Sequence, residues 1–289
     1  MTQRAQSQWL LLAVVGIVSV GIFFLGKNNP TALVNEEDGA QRPGAQSGPR
    51  SGASAGGKAS APAPAVDLET LRKQATQGLD PETRDSLARF REQGNTEDLA
   101  RFWQRHDAHL LSGLLLYRQA KSDSTLANWK SAASALFRAE KAAQDSLAFR
   151  QSVRLAREAL KNVLAMDPDN LNAKADLAIN YIEGDRQVMQ GVGLLKEVLQ
   201  AEPNNTKALF YLGVLSIQSN QLDKALERFE KLVDLQPQNA FNYYYLGQVH
   251  MRKGNRKKAL SAFRYYRERV NDPKLRRQAQ DLIEQLQKR

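Results

Sequence analysis

Gly52-Ala53-Ser54-Ala55-Gly56 spells, letter for letter, the glycine-flanked serine of a nucleophile elbow. That chemistry needs a strand running into the serine and a helix leaving it, so that a strained turn exposes the hydroxyl. Neither flank is present, because residues 39–66 are almost entirely Gly, Ala, Ser, Pro and Gln. His106 and His109, at helical i, i+3 spacing with Asp107 between them, could start a metal site. No HExxH motif and no cysteine accompanies them, so they read as surface or packing histidines. His250 stands alone, and there is no phosphate-binding loop, dinucleotide fingerprint or aspartate-rich metal loop. The lack of cysteine excludes disulfides, thiolate metal sites and cysteine catalysis, and leaves the redox compartment open. No cofactor is implied, and the chain does not read as an enzyme.

The elements around these residues are helical, and two stretches repeat one pattern. Residues 206–239 and 240–273 superpose with Leu212 on Leu246, Gly213 on Gly247, Ala225 on Ala259 and Phe229 on Phe263, each pair 34 residues apart. Gly in a helix interior costs about 1 kcal/mol against Ala, so its recurrence predicts close packing rather than chance. Ala225 and Phe229, four apart, share one face of a second helix over 222–235, and Pro237 ends it.

This 34-residue, two-helix period resembles the tetratricopeptide repeat family. The resemblance implies antiparallel helix pairs stacked into a right-handed superhelix, with a protein or peptide bound in the concave face. In that family the face is lined by the second, fifth, ninth, twelfth and thirteenth residues of each first helix. Carried over, these are Lys207, Phe210, Val214, Ile217 and Gln218, then Phe241, Tyr244, Gln248, Met251 and Arg252. Some members grip a terminal carboxylate with Lys, Asn and Arg at fixed groove positions; Phe210 and Val214 hold the matching slots here, which argues against that use. The alternative for the aromatic members of this set is packing between helices.

A more degenerate unit precedes the clear pair. Leu177-Ala178 takes the Leu-Gly slot, and Pro168 and Pro203 are 35 residues apart, so the turn 183–186 is expected to hold one extra residue. Gly191 and Gly193 depart from the pattern where a small Ala is usual. Upstream, 67–124 reads as a divergent helical region and 125–271 as repeats. Asp80-Pro81-Glu82 and Asn95-Thr96-Glu97 are helix starts, and Leu110–Leu116, too short to cross a bilayer, reads as a buried helix. Residues 272–289 carry Leu275, Ala279, Leu282, Ile283 and Leu286 on one face, as a helix capping the end of a stack would.

After a short tail, 1–8, the apolar run 9–25 would be about 26 Å long as a helix, the short end of a membrane span. A cleaved signal peptide would need a small-x-small site; Ser19-Val20-Gly21 fits, but the apolar Ile22-Phe23-Phe24-Leu25 after it favours an uncleaved signal anchor. The segment 26–66 then reads as a flexible linker, too poor in apolar residues to fold and reaching about 35 Å. A short tail before a single span is expected to stay in the cytoplasm, which places the repeats on the periplasmic side of a bacterial inner membrane.

The charge is uneven. Residues 252–289 carry 13 Lys or Arg against 4 Asp or Glu, which is +9 of the net +10. Arg256, Lys257 and Lys258 mark a basic surface that is either merely solvated or a site for an acidic partner or an anionic membrane. Nucleic acid is disfavoured, because aromatic platforms do not interleave with the charges and Phe263 holds a core slot.

The expectation is therefore an all-α chain: an N-terminal transmembrane helix, a disordered linker, and a tetratricopeptide-repeat solenoid with a C-terminal capping helix. It resembles membrane-anchored repeat scaffolds that recruit clients in envelope assembly or cytochrome maturation. A regulatory subunit, or an enzyme with an unrecognised site within 67–145, stands as the alternative.

Overall fold

The computed structural model describes residues 67–92, 95–184 and 186–288. The apolar run 9–25, the linker 26–66 and with it Ser54 lie outside the described residues. Among the described residues there are thirteen helices and no strand. None of these helices is long and apolar enough to cross a membrane.

Two compact units divide the chain. The first comprises, of the described residues, 67–115 and 138–152, with α1 (Leu68–Gln77), α2 (Pro81–Glu92) and α3 (Thr96–Arg105). Each start is fixed by a short polar side chain taking up free N–H groups of the first turn. The Asp67 carboxylate accepts from Glu69 and Thr70 N–H, Asp80 from Thr83 N–H, and Asn95 from Glu97 and Asp98 N–H. Pro81 is the first residue of α2, where its missing N–H costs nothing. Leu87, Phe102 and Trp103 are buried, with Phe102 edge-on to Trp103 at 5.1 Å and tilted on Phe90 at 5.7 Å.

α4 (His109–Ser122), α5 (Leu126–Ala142) and α6 (Ser146–Met166) contribute residues to both units. The 110–116 run lies in α4, with Leu110, Leu111, Leu114 and Leu116 buried. Trp129, Ala132, Ala133 and Leu136 all turn inward on α5.

The second unit holds 116–137 and 153–288. Three helix pairs follow one another: α7 (Leu171–Gly184) with α8 (Val188–Ala201), α9 (Thr206–Gln218) with α10 (Leu222–Leu235), and α11 (Ala240–Arg252) with α12 (Arg256–Arg269). α13 (Pro273–Gln287) packs on α12 and closes the series, burying Leu275, Ala279 and Ile283 while Leu282 and Leu286 are half-buried. Each first helix starts under the same cap. Asn170 accepts from Ala173 N–H at 2.9 Å, Asn205 from Ala208 at 3.0 Å, and Asn239 from Phe241 at 3.2 Å; Asp272 does this for α13.

The turns inside the pairs also repeat. Asn220 and Gly254 have left-handed backbones (φ +59 and +76), letting Gln221 N–H reach Ser216 O and Asn255 N–H reach His250 O, five residues back. In the first pair Arg186 has φ +54 and Gln187 N–H reaches Tyr181 O, six residues back. The extra residue expected in the turn 183–186 is the cause.

First and second helices are exposed differently. α9 buries nine of its residues, on every side, as befits a helix apolar all round. α10 buries only Ala225, Phe229 and Leu232, one stripe of an amphipathic helix.

Candidate functional site

The two helices of each clear repeat are joined by a contact of ring on glycine. A β-carbon built on Gly213 would stand 2.8 Å from Phe229 Cε2, and one on Gly247 would stand 2.8 Å from Phe263 Cε1. The missing side chains let the second helix lay its ring on the first. Gly191 plays this part in the degenerate pair from the other helix: its β-carbon would meet Ile182 and the Ala178 carbonyl of α7. Gly193 has nothing within 4 Å.

The first helices α9 and α11 are each tied to both helices of the pair before them. Tyr245 of α11 stacks on Phe229 of α10, with centroids 5.1 Å apart and planes 9° apart, and Phe210 of α9 meets both rings edge-on. Lys207 Nζ bonds Asp176 of α7 at 2.8 Å, and Tyr211 Oη donates to Glu183 at 2.7 Å. The Arg252 guanidinium donates to Ile217 O and to Asn220 Oδ1, linking α11 to the end of α9.

Against this frame the ten carried-over groove positions fall into two sets. Phe210, Val214, Ile217, Tyr244 and Gln248 are buried, with Gln248 only 1% exposed and donating to Tyr244 Oη at 2.6 Å. Their side chains serve packing between helices in this conformation, because each first helix is enclosed by its neighbours. Lys207 and Gln218 are exposed, and Phe241, Met251 and Arg252 are half-buried. Burial pushes the hydroxyls of Tyr244, Tyr245 and Tyr266 well above the ordinary tyrosine value, so they stay protonated.

Arg256, Lys257 and Lys258 are exposed on the first turn of α12. The N-terminal end of a helix macrodipole disfavours cations there, by about 0.3–1 kcal/mol each where exposed. The Asn255 side chain makes no capping hydrogen bond to relieve them. His250 is buried nearby, and burial together with Lys258 and Lys253 lowers its pKa.

The histidine pair lies in the first unit. His109 Nε2 is 3.5 Å from Asp107 Oδ1, beside a cleft of about 310 Å³ lined mainly by Ala and Leu side chains. Among the described residues no group of three His, Cys, Asp or Glu is assembled to hold a metal.

One partly exposed feature escaped the reading of the sequence. Tyr243 of α11 and Tyr265 of α12 stack at 4.1 Å, and the Arg269 guanidinium lies 3.4 Å over Tyr265. Its sequence signal is Tyr265 and Arg269 four apart on one helix; the partner Tyr243 is set by the packing of α11 on α12.

No protein of curated function matches the chain by sequence. Among solved structures, MamA from Desulfovibrio magneticus RS-1 is 21% identical with a TM-score of 0.48, covering 60% of this chain and 92% of that one. PilW, a type IV pilus biogenesis factor, is 16% identical with a TM-score of 0.49, covering 67% and 80%. YrrB, a repeat protein with an unusual peptide-binding site, is 16% identical with a TM-score of 0.46, covering 74% and 100%. Residues 190–246, from the first turn of α8 into α11, match the model of the tetratricopeptide repeat.

Proposed function

We propose that the chain is a protein-interaction scaffold that holds a peptide or helix of a partner protein against the first helices of its repeats, on a domain tethered through residues 9–25 and 26–66. The observation that carries this is the edge-on contact of Phe210 on α9 with Tyr245 on α11, which, with Arg252 bonded to Ile217 O and Asn220, sets successive first helices beside one another and so lines up equivalent residues. Stacked repeats use such extended surfaces for binding. On this reading Phe210, Val214, Ile217, Tyr244 and Gln248 hold the stack together. Lys207, Gln218, Phe241, Met251 and Arg252 are the positions a partner would meet. Placement on the periplasmic side, and a role in envelope assembly or cytochrome maturation, rest on the character of the N-terminal sequence.

The test is a photo-crosslinking residue introduced into the full chain in its native cells. At Gln218 or Met251 it is expected to give the same discrete protein adduct. At Met189, 79% exposed on α8, it is expected to give none. Equal adducts at all three positions, or none at any, would overturn the groove.

A further inference from the structure

The cations at one end of the last repeat are gathered by the tertiary fold. The end of α11 supplies Arg252 and the turn after it Lys253, the first turn of α12 supplies Arg256, Lys257 and Lys258, and Lys288 follows α13. Arg256 Nη2 donates to Gln287 O at 2.6 Å, which brings the end of α13 beside the start of α12. Arg252 is committed to Ile217 and Asn220, and Lys253 to Asp223. Arg256, Lys257, Lys258 and Lys288 are exposed, and among the described residues none of them forms an ion pair.

This end also lacks what a protein interface is built on. Residues 252–258 read Arg-Lys-Gly-Asn-Arg-Lys-Lys, without an apolar side chain. The exposed large apolar residues among the described ones, Met166, Met189 and Leu235, lie on other helices. Protein partners anchor on buried aromatic or apolar side chains at the centre of a contact. A densely anionic surface needs none, since point charges on flexible stems are attracted to it without a shaped pocket.

We infer that the basic end of the repeat unit, centred on Arg256, Lys257, Lys258 and Lys288, docks on anionic lipid headgroups of the bilayer that residues 9–25 enter. The choice of a bilayer over another polyanion rests on the tether proposed above. About 40 residues of linker give a typical reach of about 35 Å from the surface, and so a high effective concentration there. Contacts that recruit a free domain only weakly then orient a tethered one.

The test uses the full chain, which has no cysteine of its own. A donor fluorophore is placed on Ser261→Cys, an exposed site on α12, and energy transfer is read to acceptors in the headgroup layer. Vesicles of phosphatidylcholine alone are compared with vesicles that also contain phosphatidylglycerol. Transfer is expected to rise with phosphatidylglycerol and to collapse at about 0.5 M salt, where the screening length is about 4 Å. It should also return to the neutral-vesicle level in R256Q/K257Q/K258Q, each neutralisation weakening the anionic-lipid-dependent contact about fivefold. K257R/K258R, which keeps the charge, should behave as wild type.

Flotation separates this from failure of the tether. If residues 9–25 anchor the chain, all variants float with neutral vesicles. If they do not, flotation itself should still depend on phosphatidylglycerol and on the three cations. Transfer that ignores phosphatidylglycerol, or that survives the triple substitution, overturns the inference. So does transfer insensitive to lipid while a polyglutamate peptide or an oligonucleotide shields α12 amides from exchange, because the occupant is then an acidic protein segment or a nucleic acid.

Discussion

The Phe229 ring occupies the space that a side chain on Gly213 would fill, with its Cε2 2.8 Å from the position of the missing β-carbon. Gly213→Ala gains about 1 kcal/mol of helix propensity but forces a methyl onto a ring that is fully buried. Overpacking of that kind costs about 1–3 kcal/mol, so the net effect is destabilising. Phe229→Ala, which leaves a cavity, is expected to cost about 3–5 kcal/mol. In a double-mutant cycle measured by denaturant unfolding, G213A with F229L should be less unstable than the sum of the two. Gly193→Ala, with open space around its site, should instead stabilise by up to about 1 kcal/mol. Additive values for the 213/229 pair would show that ring and glycine are not coupled.

The first helices depend on their caps. Asn205→Ala removes the acceptor of Ala208 N–H and Asn239→Ala that of Phe241 N–H. Each is expected to lower stability by about 1 kcal/mol, and Asn→Asp to restore most of it. Thermal unfolding of the four variants checks this; unchanged midpoints in both Ala variants would contradict the capping roles.

His250 makes stability depend on pH in a definite sense. Its pKa is lowered in the folded chain by burial, then by Lys258, with Lys253 acting the same way and Glu230 opposing. The unfolded chain therefore takes up the proton first as pH falls below about 6.5. The stabilisation is present above that pH and is lost on descending through the folded value. Between pH 7 and pH 5 the wild type should lose more stability than His250→Gln; parallel pH profiles would exclude the histidine as the cause.

The N-terminal segment is tested on the mature protein. If residues 9–25 are an uncleaved anchor, the chain isolated from membranes begins at Met1 and resists extraction by alkaline carbonate. A mature chain starting near Ile22 in mass spectrometry would instead establish cleavage within the apolar run.

Much of the architecture is legible in the residue pattern because its causes are local. The prolines at 168, 203 and 237 and the Asn and Asp caps act within a few residues of themselves, and the pairing of Gly213 with Phe229 on the next helix is legible because it recurs at Gly247 and Phe263. The prolines and caps determine where helices begin, end and turn, including the additional residue before Gln187. The fate of the groove positions is another matter. Phe210 and Tyr244 stand on helices that bury residues on every side, so periodicity cannot say which side a neighbouring helix covers. Only the stacking of α9 on α10 and α11 decided that Phe210 packs against Phe229 and Tyr245 and is buried, while Gln218 on the same helix stays exposed. The basic end is divided in the same way. Composition determined that the charge lies in 252–289, but the approach of Gln287 to Arg256 gathered Lys288 with the cations of α12, because long-range packing brings together residues that the chain keeps 31 apart.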